Sequence, residues 1–155
     1  MRHWLLKSEP STFSFEDLKS SPKRRTPWDG VRNYQARNFI RDGMAKGDLA
    51  FFYHSSCPEP GIAGIVRIVS AAYPDDTAFD PRSKHFDLAS DPKSPRWYMV
   101  DVAYERALKK PITLRELKKY EDDSLAGLAL LRRGNRLSVM PVSTAEWKFI
   151  LSLET

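Results

Sequence analysis

Asp48-Leu49-Ala50-Phe51-Phe52-Tyr53-His54, a turn at Pro58-Glu59-Pro60-Gly61, and then Ile62-Ala63-Gly64-Ile65-Val66-Arg67-Ile68-Val69 form the stretch on which the fold is decided. Both runs are apolar, with aromatic or β-branched residues, and both are short, so they predict strands rather than helices. Gly64 inside the second run predicts a bulge, or a close approach by another backbone or a ligand.

Upstream, Trp4-Leu5-Leu6-Lys7 reads as a first strand ending at Ser8-Glu9-Pro10. Ser14-Phe15-Glu16-Asp17 resembles a capping box, with Asp in the place of Glu, and opens a short helix. Asp29 or Asn33 can cap a second helix carrying Tyr34, Ala36, Phe39 and Ile40, which Gly43 and Gly47 help to end. Downstream, residues 74 to 95 hold four of the eleven prolines and predict a long surface loop, with a short strand at His85-Phe86-Asp87. Arg96 to Tyr104 alternates as a strand. Thr113-Leu114-Arg115-Glu116 is a fuller capping box. Asp123 to Arg133 predicts a helix stopped by Gly134, and Leu137 to Val142 a strand. Ser143-Thr144-Ala145-Glu146 caps a last helix whose Trp147, Ile150 and Leu151 face inward. Strands and short helices alternate without a βαβ period, which favours α+β with a mostly antiparallel, barrel-like sheet.

A chain of 155 residues fits one domain, spanning 1–155. An apolar fraction of 41% with 29% charged residues is ordinary for a globular protein. No apolar run nears the roughly 18 residues needed to span a bilayer, and the start lacks a secretory h-region. Cys57 is the single cysteine, which excludes an internal disulfide and a multi-cysteine zinc site. No metal, cofactor or membrane partner is expected; the expected place is the cytoplasm, or the nucleus in a eukaryote. The net charge of +5 is uneven, gathered at Lys23-Arg24-Arg25, Arg32, Arg37, Arg41, Lys109-Lys110, Lys118-Lys119 and Arg132-Arg133. Such clusters attract a polyanion by counterion release, or are simply solvated.

The most unusual chemistry lies in Trp28-Asp29-Gly30-Val31-Arg32-Asn33-Tyr34-Gln35-Ala36-Arg37-Asn38. Core segments rarely read this way, because a buried amide or guanidinium is costly unless every donor is met. Rings beside forked donors and amides suit a site that stacks a flat polar ligand and reads its edge. A nucleobase pocket is the first expectation.

Seven ordered motifs carry a resemblance over essentially the whole chain. They are Trp4-Leu5-Leu6-Lys7-Ser8-Glu9-Pro10, the run Trp28 to Asn38, and Phe52-Tyr53-His54-Ser55. Pro60-Gly61-Ile62-Ala63-Gly64, Ala72-Tyr73-Pro74-Asp75, Pro95 to Val102, and Arg136-Leu137-Ser138-Val139-Met140-Pro141-Val142 complete the set. Together they resemble the EVE domain, the family of thymocyte nuclear protein and its bacterial relatives, within the PUA-like superfamily. The resemblance implies a pseudo-barrel of five or six strands surrounded by short helices. It also implies recognition of nucleic acid, DNA or RNA, through a modified base such as a 5-substituted cytosine flipped into a pocket. One departure stands out: His85-Phe86-Asp87 sits where many relatives have Tyr-Tyr-Asp.

On this reading Trp28 and Tyr34 are stacking surfaces and Tyr53 closes the pocket, or each is a core residue. Asn33 and Gln35 can meet a pyrimidine edge, or Asn33 can cap its helix. Lys7, Ser8 and Glu9 line the cavity where the first strand breaks, and Val31 lies beside them. His54 and Ser55 sit at a rim, and Ala36 and Gly64 leave room for a base substituent. Arg32, Arg37, Arg136 and Ser138 are assigned to the nucleic-acid backbone; Arg32 or Arg37 can instead pair with Asp29 or Glu9.

Enzyme templates are missing: no Walker loop, His-Glu-x-x-His or Gly-x-Ser-x-Gly is present, nor the Gly-x-Lys-x-x-Glu of the related ASCH family. His54 and Cys57 form the nearest thing to a nucleophile pair, without an orienting third group. A binding module is therefore favoured over a hydrolase acting on nucleic acid or modified nucleotides.

Overall fold

The computed structural model describes residues 1–154. In chain order the elements are β1 (His3–Ser8), α1 (Phe15–Lys19), β2 (Arg25–Pro27), α2 (Tyr34–Asn38), β3 (Leu49–His54) and β4 (Gly61–Ile68). They continue with β5 (Tyr73–Pro74), β6 (Tyr98–Met99), β7 (Asp101–Thr113), α3 (Leu114–Lys118), β8 (Val139–Val142) and α4 (Thr144–Ser152). Six strands form one curled, half-barrel sheet in the order β2-β7-β4-β3-β1-β8; β5 and β6 pair separately. Only β1 and β3 run parallel, so the sheet is mixed and mostly antiparallel, as the sequence leads one to expect.

Alternation along β3 and β1 divides the core into two apolar layers. Trp4, Leu6, Ala50 and Phe52 point to one face, under α1, α2 and the Trp28 loop. Leu5, Phe51 and Tyr53 point to the other, under α3 and α4. Helix starts obey their local chemistry. Ser14 and Asp17 exchange both capping-box bonds, as do Ser143 and Glu146. Thr113 accepts from the Glu116 amide, and the Asn33 side chain accepts from Ala36, so Asn33 is the cap of α2.

Three expectations change. Residues 123 to 133 form no α-helix but a chain of turns with one short 3₁₀ segment at Ala129–Leu131. The Asp123 carboxylate takes the Ser124 amide, a local bond that competes with helix, and Gly127 adds backbone entropy. Leu125 and Leu128 are buried all the same. His85–Asp87 is turn and loop, because Asp87 instead anchors the Trp97 indole at 2.6 Å. The strand read as Arg96–Tyr104 is two strands, and β7 runs on to Thr113. Its second half was hidden because Glu105, Arg106, Lys109 and Lys110 are exposed, and Pro111 sits where the ladder with β4 slips. β2, three residues long and read from no pattern, closes one sheet edge.

Candidate functional site

Lys7 and Ser8 end β1, and Glu9 follows, beside the point where β8 begins; the Lys7 amide donates to the Ser138 carbonyl at 2.9 Å. The loop after β2 crosses this end of the sheet, held by the Trp28 amide on the Val100 carbonyl at 2.8 Å. Residues 83–85 of the long loop come down from the opposite side. Between these segments lies an open cavity of about 640 Å³. Small-molecule sites usually measure roughly 300–1,000 Å³, so a nucleobase and part of its sugar fit. Phe13, Pro27, Trp28 and Val31 give the cavity apolar walls, and Lys7, Ser8, Glu9, Asp29, Lys84, His85 and Ser138 bring polar groups.

The indole of Trp28 is only 8% exposed and meets Phe52 edge-on at 86°. It thus belongs to the core on one side and to the cavity wall on the other. The Lys7 ammonium has no hydrogen bond or ion pair among the described residues, and desolvation holds its pKa below the ordinary lysine value. An under-hydrated cation facing a cavity is a donor in search of an acceptor. The Ser8 hydroxyl donates to the Phe13 carbonyl at 2.5 Å, which leaves its oxygen free to accept. Asp29 is exposed at its edge, yet lost hydration and then the nearby Asp75 push its carboxyl up.

The scaffold of this site is an ion pair. The Asp75 carboxylate is fully buried and accepts from Arg32 at 2.9 Å, from the Gly30 amide at 2.8 Å, and from the Thr77 amide and hydroxyl. Burial pushes this carboxyl up, but the bonds from Thr77, Gly30 and Arg32 outweigh it and hold it below the usual range. Arg32 also donates to the His85 carbonyl at 2.6 and 3.1 Å and lies over the Trp97 ring. One guanidinium therefore ties the Trp28 loop to the long loop. Gly30 makes the junction possible: its φ is +78°, and a Cβ there would sit 2.5 Å from the His85 ring.

Of the residues singled out in the sequence, Lys7, Ser8, Glu9, Trp28, Val31 and Ser138 line the cavity. Asn33, Gln35 and Arg136 come together elsewhere, in a neighbouring groove of about 310 Å³. The others have structural positions. Tyr34 is 51% exposed and stacks on Trp97 at 4.8 Å, outside the cavity, with Arg37 over its ring. Arg37 itself donates to the Arg96 carbonyl. Ala36 is buried beneath α2. Tyr53 cannot close the pocket: β3 alternation sends it into the opposite layer, where burial, then Cys57, pushes its phenol up to about 12. His54 Nε2 accepts from the Phe15 amide at 3.1 Å, and desolvation lowers its pKa. The Ser55 amide braces the Ser8 carbonyl. Gly64 is small for Phe15, whose ring atoms would lie 2.1 Å from an added Cβ, and not for a ligand. Arg32 pairs with Asp75, neither with Asp29 nor with Glu9.

Sequence reading missed Thr12, Phe13, Thr26, Pro27, Asp29, Gly30 and the Ser83–His85 wall as lining residues. The oddity at His85 was visible, and so was the Tyr73-Pro74-Asp75 motif, but neither reveals a partner some 45 residues away. Among the described residues no group of three or more His, Cys, Asp or Glu could hold a metal ion, and no helix is long and apolar enough to cross a membrane.

Residues 2–153 match the EVE domain family. Human thymocyte nuclear protein 1 is 49% identical over 167 aligned residues, covering 98% of this chain and 73% of the human one. The crystal structure of human THYN1 protein in complex with 5-methylcytosine-containing DNA superposes with a TM-score of 0.95 at 48% identity, covering 99% and 98% of the two chains. A crystal structure of a YTH domain, that of the MRB1 protein of Zygosaccharomyces rouxii, shares the fold with a TM-score of 0.52 at 14% identity, covering 99% and 83%.

Proposed function

The chain belongs to the EVE domain family, and we propose that it binds nucleic acid, as the human relative solved in complex with 5-methylcytosine-containing DNA does, and that it reads a 5-substituted cytosine flipped into the Trp28 cavity. The observation that carries this reading is the pairing of a largely buried indole, one side of which lines the cavity, with an unpartnered ammonium at the same wall. Taking a base out of a stack costs a few kcal/mol. Stacking on an aromatic ring returns roughly 1–3 kcal/mol, so polar contacts to the edge must supply the remainder.

Cytosine presents one amino donor and two acceptors along its pairing edge. Glu9 and Asp29 offer carboxylate acceptors to the amino group, and Lys7 offers a donor to the acceptors. Thymine or uracil turns a carbonyl toward the carboxylates, so the same walls disfavour it. A 5-methyl group adds only about 1 kcal/mol of burial, and fit against Phe13, Pro27 and Val31 must sharpen the choice. The His54–Cys57 pair is not assembled at this cavity: His54 Nε2 accepts from the Phe15 amide, and neither His54 nor Cys57 lines the walls.

Fluorescence anisotropy with matched oligonucleotides carrying cytosine, 5-methylcytosine, 5-hydroxymethylcytosine or thymine tests the reading, in single- and double-stranded DNA and in RNA. Tighter binding to one 5-substituted cytosine is expected, with Trp28→Phe weakening that complex about tenfold. Equal affinity for all four bases, or an unchanged Trp28→Phe variant, removes the base pocket. A cleaved or deaminated product from any of these oligonucleotides overturns the binding-only assignment.

A further inference from the structure

We infer that the groove beside the cavity, built by the turn at Arg132–Arg136 against the start of α2, grips the phosphodiester backbone next to the flipped nucleotide. This deepens the base-reading proposal and rests on it only for the position of the base. Two chain segments supply both sites, in opposite order along the chain. Val31 lines the cavity and Asn33 the groove, two residues on; Ser138 lines the cavity and Arg136 the groove, two residues back. A shared ridge therefore separates them, one short step of chain wide. That step spans roughly 7 Å of extended chain, about the spacing between successive phosphates of an extended strand.

The groove has the chemistry of a polyanion site. Arg132, Arg133 and Arg136 are exposed, and no carboxylate forms an ion pair with any of them among the described residues. Arg32, Arg41, Arg67, Arg82, Arg106 and Arg115 have acidic partners; Arg2, Arg24, Arg25, Arg37 and Arg96 have none among the described residues, but none of these lines the groove. The turn is fixed from within. Asn135 donates to the Ala129 carbonyl at 2.6 Å and accepts from the Leu137 amide at 2.9 Å. Asn33 spends its carbonyl oxygen on the Ala36 amide, which leaves its NH₂ facing the groove as a donor. Guanidiniums and amide donors on a braced turn, with no acid among the groove's lining residues, match phosphate oxygens.

Such contacts position the polymer and carry no base information, so their signature is a loss of affinity that is uniform across bases and sensitive to salt. The test is anisotropy titration of Arg136→Ala and of an Arg132→Ala/Arg133→Ala pair between 50 and 300 mM salt, on 5-methylcytosine and unmodified duplexes. Lys110→Ala serves as a charge control, since Lys110 lies on β7, separated from β8 by β4, β3 and β1. Each groove variant is expected to weaken both duplexes by the same factor, about tenfold at low salt. The slope of log affinity against log salt is expected to become less negative by about 0.9 for each phosphate that is no longer neutralised. Thermal melts should not move, because these side chains are exposed. Slopes equal to the wild type, or the same loss from Lys110→Ala, overturn the groove. If wild type ignores the methyl group while the groove variants still flatten the slope, the groove stands and the base reading fails. If wild type binds neither duplex at any salt, both fail.

Discussion

Phe51 and Phe52 are neighbours in sequence, yet the two faces of β3 that they occupy have been put to different use. Phe51 stacks on Trp147 with ring centres 3.9 Å apart, in a layer covered by α3, α4 and the turns that carry Leu125 and Leu128. Phe52 meets Trp28, Phe15 and Phe13 edge-on or tilted, in a layer whose roof is partly loop and partly cavity. On the Phe51 face apolar side chains from helices and turns alike, Leu117, Leu125, Leu128, Trp147 and Ile150, close the layer. On the Phe52 face the roof has to be pinned by polar bonds, chiefly Arg32 to Asp75. The lesson is that a sheet can keep one side for stability and leave the other incomplete where a ligand is to enter.

The contrast is most easily broken at Phe51. Phe51→Ala should cost about 3–5 kcal/mol, read as a lowered urea midpoint with little change in slope. Base preference of the fraction that remains folded should be unaltered; a changed preference would show the two faces to be coupled. Asp75→Asn should cost less, about 2 kcal/mol, since Arg32 is partly exposed and keeps its carbonyl partners. Its main effect should be on the roof: trypsin should cut sooner after Arg82 or Lys84, and nucleic-acid affinity should fall. Unchanged cleavage would mean the ion pair does not hold the loop. Gly30→Ala forces a side chain into a left-handed conformation and against His85, and should cost about 1–2 kcal/mol by thermal melt. A variant as stable as wild type would show that His85 has somewhere else to go.

The smallest effect is a pH dependence. His54 accepts from the Phe15 amide only when its Nε2 is unprotonated, and its folded pKa is lowered by desolvation. Its contribution is therefore complete above the ordinary value near 6.5 and is lost as pH falls from there through the folded value. Urea midpoints measured downward from pH 7 should drop faster in wild type than in His54→Gln. Parallel curves would remove His54 from the pH response.

How much of this was legible depended on whether the cause was local. The strands β1, β3 and β4 and the capped starts of α1, α3 and α4 follow from patterns only a few residues wide, and those patterns are plain at Ser14, Thr113 and Ser143. The Trp28 loop and Lys7-Ser8-Glu9 were legible as chemistry, because polar groups beside rings make poor core. Which of them meet was not. Asn33 and Trp28 lie five residues apart, yet the cap at Asn33 turns its side chain over the ridge and away from the indole. Tyr53 was placed on the wrong side because its neighbour Phe52 fixes the register, a matter of one residue. Arg32 found its partner across 43 positions, and only the folded chain reveals that choice.

The amide bond from Lys7 to the carbonyl of Ser138 has a consequence of its own. It joins an early residue to a late one across the floor of the recess, so the recess has no counterpart in any fragment that stops before β8. Loops that long close slowly, and β1 cannot gain its outer neighbour until they do. A chain emerging from the ribosome therefore completes neither its hydrophobic layers, which need Val139, Met140 and Val142 of β8, nor a place for a ligand until that strand has joined. Splitting the protein within residues 119–136 and mixing the halves should restore both together or neither.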